Sequence, residues 1–161
     1  MKKPHITLLT IAFLMGSLIL TGCTGYSDGP VLSLKSAKTK ISTTWRVKDA
    51  SLFGVEVTSS YDQDFFKFEE DGDFSYFDAS RLIAVPPFTQ DTIMPLEGVG
   101  EWQFLDGSKQ LEVLYTFSFK DPYNPDITYT EDVNQRWEVT RLAEGELWLR
   151  DDSTILKLEF Y

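Results

Sequence analysis

The feature that most constrains this chain is an alternation of apolar and polar residues with a period of two. It is longest at Leu111, Val113, Tyr115, Phe117 and Phe119, where every second residue is apolar. A strand sends successive side chains to opposite faces, so such a run has one face to bury and one to hydrate. The same period recurs from Ile41 to the end of the chain, and no stretch sustains a helical period beyond two turns.

Turn signals punctuate these runs. Phe66 and Phe68 alternate with Lys67 and Glu69, Glu70-Asp71-Gly72-Asp73 turns, and Phe74 and Tyr76 follow. Asp-Gly between alternating aromatic runs predicts a tight hairpin. Asp106-Gly107-Ser108, Asp121 to Asp126, Ala143-Glu144-Gly145 and Asp151-Asp152-Ser153 mark further turns. The pattern predicts eight strands, near 43–49, 63–70, 73–79, 98–105, 110–119, 129–141, 145–150 and 154–160. Phe53 to Thr58 reads as a further short strand or an ordered loop. Residues 81–97 hold Pro86, Pro87 and Pro95. Proline has no N–H to give a ladder, so a long loop over one end of the fold is expected there.

Short connections make chain neighbours antiparallel neighbours in space. Eight such strands with one apolar face each are best satisfied by closing on themselves. Closure also removes the unpaired edges of an open sheet. The expected fold is all-β, an eight-stranded antiparallel up-and-down barrel, with a two-sheet β-sandwich as the alternative.

The N-terminal region follows a different rule. Met1-Lys2-Lys3 is a basic head, and Ile6 to Leu20 is mostly apolar and carries no charge. This is the pattern of a secretory signal peptide, and it is shorter than the roughly 20 residues of a membrane span. Leu20-Thr21-Gly22-Cys23 resembles the lipobox of bacterial lipoproteins. In that chemistry the Cys23 thiol takes a diacylglyceryl group. Small residues at Thr21 and Gly22 let a peptidase cut before Cys23, and the new amino group is acylated with a fatty acid such as palmitate. Two or three acyl chains anchor a protein stably where one does not. The expected organisation is a signal peptide over 1–22, a lipidated N-terminus and flexible tether over 23–40, and a barrel domain over 41–161. The expected partner is therefore a membrane, held through covalent lipid on Cys23. Thr24 stands where Asp resembles an inner-membrane retention signal, which points to the outer membrane. Asp28 is the one acid nearby, which favours the periplasmic side over the cell surface.

Charge and residue usage narrow the function. The net charge is −10, and loss of Lys2 and Lys3 would make it −12. Such a chain repels nucleic acid. The one histidine, His5, falls in the signal peptide, and Cys23 is the one cysteine. The mature chain would then lack histidine and free thiol, which argues against Ser-His-Asp or Cys-His catalysis and His/Cys zinc sites. The sequence singles out no catalytic residue, no metal ligand and no cofactor. Asp62, Asp64, Glu69, Glu70, Asp71 and Asp73 form one acidic cluster, and Asp121, Asn124 and Asp126 another. Neither has the twelve-residue spacing of a calcium loop, and both read as solvated turns.

In order, the motifs are a lipobox, a tether, an opening Trp45-Arg46-Val47, and Phe66 through Phe74. Gly100-Glu101-Trp102-Gln103-Phe104, Leu111-Glu112-Val113, Trp137-Glu138-Val139 and Leu147-Trp148-Leu149 follow. This succession resembles the lipocalin-like domains of small bacterial lipoproteins, notably those of Bacteroidota. Thr43 stands where lipocalins open with glycine, so Trp45 alone of their Gly-x-Trp signature is present. The resemblance implies a small barrel that holds an apolar ligand in its mouth. Trp45, Phe66, Phe68, Phe74, Tyr76, Trp102, Phe104, Tyr115, Phe117 and Trp137 share inward parities and are the candidate cavity lining, with Gln135 and Tyr115 placed to orient a ligand. The same aromatics serve equally to fill a solid core, since eight-stranded barrels are just wide enough for that. A ligand-binding module is the first functional expectation. A non-catalytic adaptor docking another envelope protein is the alternative.

Overall fold

The computed structural model describes residues 35–84, 91–121, 124 and 126–161, with backbone alone for 79–84 and 91–94. Cys23, the lipobox, Pro86 and Pro87 lie outside the described residues. A helical turn, α1 (Ala37–Ile41), precedes β1 (Thr44–Leu52), β2 (Val55–Glu56), β3 (Asp64–Phe68) and β4 (Asp73–Ala84). β5 (Asp91–Leu105), β6 (Gln110–Lys120), β7 (Thr128–Ala143), β8 (Glu146–Arg150) and β9 (Thr154–Phe160) complete the sheet.

Each strand from β3 to β9 pairs antiparallel with its neighbour in the chain, and β1 pairs with β3. β1 also pairs with β9, from Trp45 opposite Phe160 to Leu52 opposite Thr154. That last pairing closes β1 and β3–β9 into an eight-stranded barrel and excludes the sandwich. Strand number, order and closure are those of the up-and-down barrels that lipocalins use. β2 stands outside this count as a two-residue return beside Ser51 and Leu52.

The two ends of the barrel differ. At one end, called the base here, β3–β4, β5–β6 and β7–β8 are joined by tight turns, and α1 lies across it. Ser36 caps α1 by accepting from the Thr39 N–H at 3.1 Å, as N-cap serines do. Ile41 is fully buried, and its carbonyl accepts from the Trp45 indole N–H at 2.8 Å. The sequence places residues 37–40 in the tether; in the structure they fold onto the barrel, because Ile41 and Trp45 pull them in. The other end, the mouth, is where β1, β4, β6 and β8 finish.

The expected long loop at 81–97 is corrected by the structure. β4 runs to Ala84 and β5 starts at Asp91, with Arg81 opposite Met94 and Ala84 opposite Asp91. Pro95 is inside β5. It is tolerated because the register slips between Asp78 and Arg81, so two residues of β4 face Pro95 and no ladder N–H is required there. The long strands make the wall uneven. β4, β5, β6 and β7 hold 12, 15, 11 and 16 residues, whereas β3 and β8 hold five each.

Candidate functional site: a cavity in the barrel mouth

Inward-facing side chains fill the base. Phe68 packs edge-on against Trp102 at 5.6 Å and tilted against Phe74 at 5.2 Å, and Trp102 meets Phe104 edge-on at 5.4 Å. Trp45 rests against Phe160 at 4.9 Å. The Trp102 indole N–H donates to the Glu69 carbonyl at 2.9 Å, so neither of these two indoles is left without an acceptor. Leu111, Leu142, Leu147 and Leu158 complete this layer, each 1% exposed or less.

Above Trp137 the filling stops. A cavity of about 390 Å³ opens toward the mouth. Of the candidate lining residues, Phe66, Tyr76, Tyr115, Phe117, Gln135 and Trp137 border it. Trp45, Phe68, Phe74, Trp102 and Phe104 belong to the packed base instead. The divide follows height in the barrel, which residue type does not encode.

Two glycines help shape the wall. A Cβ at Gly100 would lie 2.0 Å from the Leu114 carbonyl oxygen and 2.5 Å from the Tyr115 Cα. One at Gly98 would lie 2.7 Å from the Tyr115 ring. Their bare backbone lets β6 press close to β5. The Tyr115 ring then lies against β5, 5.3 Å from Phe74 and 6.0 Å from Tyr76.

The polar part of the cavity comes from residues that the sequence reading assigned elsewhere or passed over. Asp64 is 1% exposed and borders the cavity, which corrects its placement in a solvated acidic turn. The turn at Glu69–Asp73 is at the base, whereas Asp64 opens β3 at the mouth. Its parity with Phe66 and Phe68 already points it inward, and that alternation is the signal that could have found it. Tyr76 donates its hydroxyl hydrogen to Asp64 Oδ2 at 2.8 Å, with Asp78 Oδ2 at 3.4 Å. Asp78, also 1% exposed, is the direct cross-strand partner of Asp64. Tyr61, Val133, Asn134, Thr154 and Leu156 complete the lining. Tyr61 comes from the β2–β3 connection, where its carbonyl accepts from the Asp64 N–H at 3.1 Å.

The rim is built from carboxylates in turns. Asp121 is buried and braces the β6–β7 hairpin, accepting from the Asn124 N–H at 3.0 Å and the Tyr129 hydroxyl at 3.0 Å. That hydrogen bond to Asp121 pushes the Tyr129 phenol above its ordinary range. This structural role replaces the solvated turn expected for Asp121. Asp151 caps the β8–β9 turn. Burial alone would raise its pKa, but hydrogen bonds from the Ser153 and Thr154 N–H groups and from both side chains outweigh burial and lower it. Outside the barrel, Glu112 is held below the usual carboxylate range by Arg136 and Gln103. Glu159 is held low by Arg46 and Lys48.

Among the described residues, no group of three or more His, Cys, Asp or Glu is placed to hold a metal ion. No helix among them is long and apolar enough to cross a membrane.

No protein-family model and no curated protein sequence matches this chain. Two solved structures are similar to it. One is a lipocalin-like protein from Bacteroides uniformis, 13% identical, covering 76% of this chain and 99% of that one with a TM-score of 0.47. The other is an uncharacterized protein from Bacteroides eggerthii, 10% identical, covering 75% and 99% with a TM-score of 0.46.

Proposed function

We propose that this chain is an envelope lipoprotein, anchored through acyl groups on Cys23, whose barrel binds and carries a small, largely apolar molecule without transforming it. The observation that carries the binding reading is the cavity of about 390 Å³ in the mouth. Its size falls in the roughly 300–1,000 Å³ range of small-molecule sites, and its lining combines aromatic walls with polar side chains that can orient a ligand. Phe66, Tyr115, Phe117 and Trp137 supply the apolar contact, and Tyr76 and Gln135 supply orientation.

The anchor reading rests on Leu20-Thr21-Gly22-Cys23. α1 lies across the base, so a tether leading to residue 37 reaches the barrel from that end. The mouth then faces away from the outer membrane, into the periplasm. The non-catalytic reading rests on residue usage, since His5 and Cys23 are the sole histidine and cysteine.

Titration of the full chain, held in lipid nanodiscs, with neutral 3-phenylpropan-1-ol tests the cavity. Calorimetry should show saturable binding; absence of heat above empty nanodiscs overturns the binding reading. Cys23→Ser should release the protein or block its processing. A Cys23→Ser chain of normal mature size in the membrane fraction overturns the anchor reading.

One corner of the mouth supports the adaptor alternative. Leu52, Phe53, Val55 and Ile155 are exposed at the β1–β2 tip, Phe53 to 80%. Phe53 also holds a left-handed φ of 52°, a backbone conformation that non-glycine residues seldom adopt.

A further inference from the structure

We infer that the upper half of β7 is a docking edge for an extended peptide segment of a partner protein, which adds as a strand beside 130–136 with apolar side chains facing inward and a basic residue opposite Asp132. The ladder carries this inference, which does not rest on the small-molecule reading above. Val139 donates its N–H to the Lys109 carbonyl at 2.8 Å, and the register of β7 on β6 is unbroken from Thr128 to Glu138. Odd-numbered residues of β7 therefore turn their backbone groups to β6, and even-numbered residues turn theirs to the other side. On that side Glu138 faces Arg150, the last residue of β8. Above it, among the described residues, no strand lies opposite Arg136, Asn134, Asp132 and Thr130. Their N–H and C=O groups form a template for one more strand.

The space beside this edge has the right shape. A trough of about 750 Å³ lies between 134–138 of β7 and 150–153 at the end of β8 and its turn. It shares Asn134, Gln135 and Trp137 with the mouth cavity. That cavity is bordered by β7 and by Thr154 and Leu156 of β9, while its described lining includes no residue of β8. An added strand would continue the line of β8 upward and turn alternate side chains toward Val133 and Gln135.

The opposite edge of the tall wall differs. β4 also outruns β3, but its register slips between Asp78 and Arg81, and a bulge blunts an edge. The stretch 128–137 holds neither lysine nor proline, two common shields of an edge.

Charge selects the occupant. Glu131 and Asp132 are exposed near the top of the edge, and Arg136 is exposed lower down. Asp132 accepts from the Thr116 hydroxyl at 2.6 Å, and Arg136 pairs with Glu112. Opposite charges directly across a strand pair are favourable and like charges are not. The partner strand thus carries lysine or arginine opposite Asp132 and no base opposite Arg136. A second copy of the chain would bring a net charge of −10 against −10, which opposes self-pairing.

The probe is acetyl-Glu-Val-Thr-Phe-Lys-Val-Lys-amide with a fluorescent label at its C-terminus, titrated into the full chain in nanodiscs and followed by anisotropy. Laid antiparallel, its glutamate meets Arg136 and its first lysine meets Asp132. Methyl groups on the amide nitrogens of the threonine and the first lysine, which face β7, should weaken binding about tenfold or more. Methyl groups on those of the first valine and the phenylalanine, which face away, should weaken it less than about threefold. Asn134→Pro removes an edge donor that β6 does not use; it should leave the circular dichroism unchanged and weaken the probe about fivefold.

Saturable binding with that contrast supports the inference. No saturation by about 1 mM peptide, or equal binding of the two methylated forms, overturns it. Binding of 3-phenylpropan-1-ol to the same nanodiscs would then leave the small-molecule reading standing. If sedimentation of the detergent-solubilised full chain shows dimers that Asn134→Pro abolishes, a second copy occupies the edge and the inference is overturned. The methylated peptides decide the matter on the unaltered chain even where Asn134→Pro does not fold.

Discussion

The base of the barrel and its mouth are built from the same alternation of aromatic residues, yet one is solid and the other open. At the base, Phe68 meets Phe74 and Trp102 ring to ring, Trp45 meets Phe160, and α1 closes the end with Ile41. At the mouth, Phe66, Tyr115, Phe117 and Trp137 face a gap, and the polar groups Asp64, Tyr76 and Gln135 sit among them. Tight turns on short connections let the base strands converge on one plug. Strands of unequal length leave the β4–β7 wall taller at the mouth than β3 and β8. The difference assigns stability to the base and the proposed binding site to the mouth.

That division is open to direct attack. The largest effect is expected at Trp45, fully buried and bonded to Ile41. Trp45→Ala should cost about 3–5 kcal/mol of unfolding free energy, as large aromatic deletions in cores do. Urea denaturation followed by circular dichroism measures it, and a loss below about 1 kcal/mol would break the assignment of stability to the base.

Next comes the wall between the two regions. Gly100→Ala puts a methyl group 2.0 Å from the Leu114 carbonyl oxygen, a backbone contact that has no side chain to swing aside. Overpacking of this kind costs about 1–3 kcal/mol. A fully stable Gly100→Ala chain with unchanged probe binding would mean that β5 and β6 are not pressed together as described.

A smaller loss is expected at the mouth. Phe117 is half-buried and borders the cavity. Phe117→Ala should cost about 1 kcal/mol or less in stability and weaken 3-phenylpropan-1-ol by several-fold. Parallel denaturation and calorimetry sharpen the contrast with Trp45→Ala. Equal stability losses at the two sites would erase it.

The smallest effect is that of acid. Glu112, Glu159 and Asp151 each have a folded pKa below the ordinary carboxylate value. A lowered folded pKa means that their stabilisation is complete above the unfolded value near 4 and is lost as pH falls through the folded value. Urea midpoints should therefore be level from pH 7 to about pH 5 and decline below about pH 4. A midpoint that rises on acidification would contradict these ion pairs and turn caps.

Much of the architecture was legible from local pattern. Alternation placed Phe66, Phe68, Phe74 and Tyr76 on one face, and Asp71-Gly72 marked the hairpin between them. It did not show where a strand adds a residue. Lys48 and Thr140 sit at register shifts in β1 and β7. After Thr140 the inward parity moves, so Leu142 is buried while Arg141 pairs with Glu146 outside. Pro95 misled for the same reason, since a proline is read as a strand breaker until a bulge on the partner strand removes the need for its N–H.

What the sequence by itself determined is the strand inventory and its inward face, because the period of two is a property of each strand alone. The closure of β1 on β9, the height at which the core ends and the meeting of Asp64 with Tyr76 and Asp78 were decided by tertiary structure. Those depend on which residues stand opposite one another across strands, and a slip of one residue exchanges the inner and outer faces. A local alternation specifies which side chains turn inward. Only the paired and closed sheet decides whether they meet each other or a cavity.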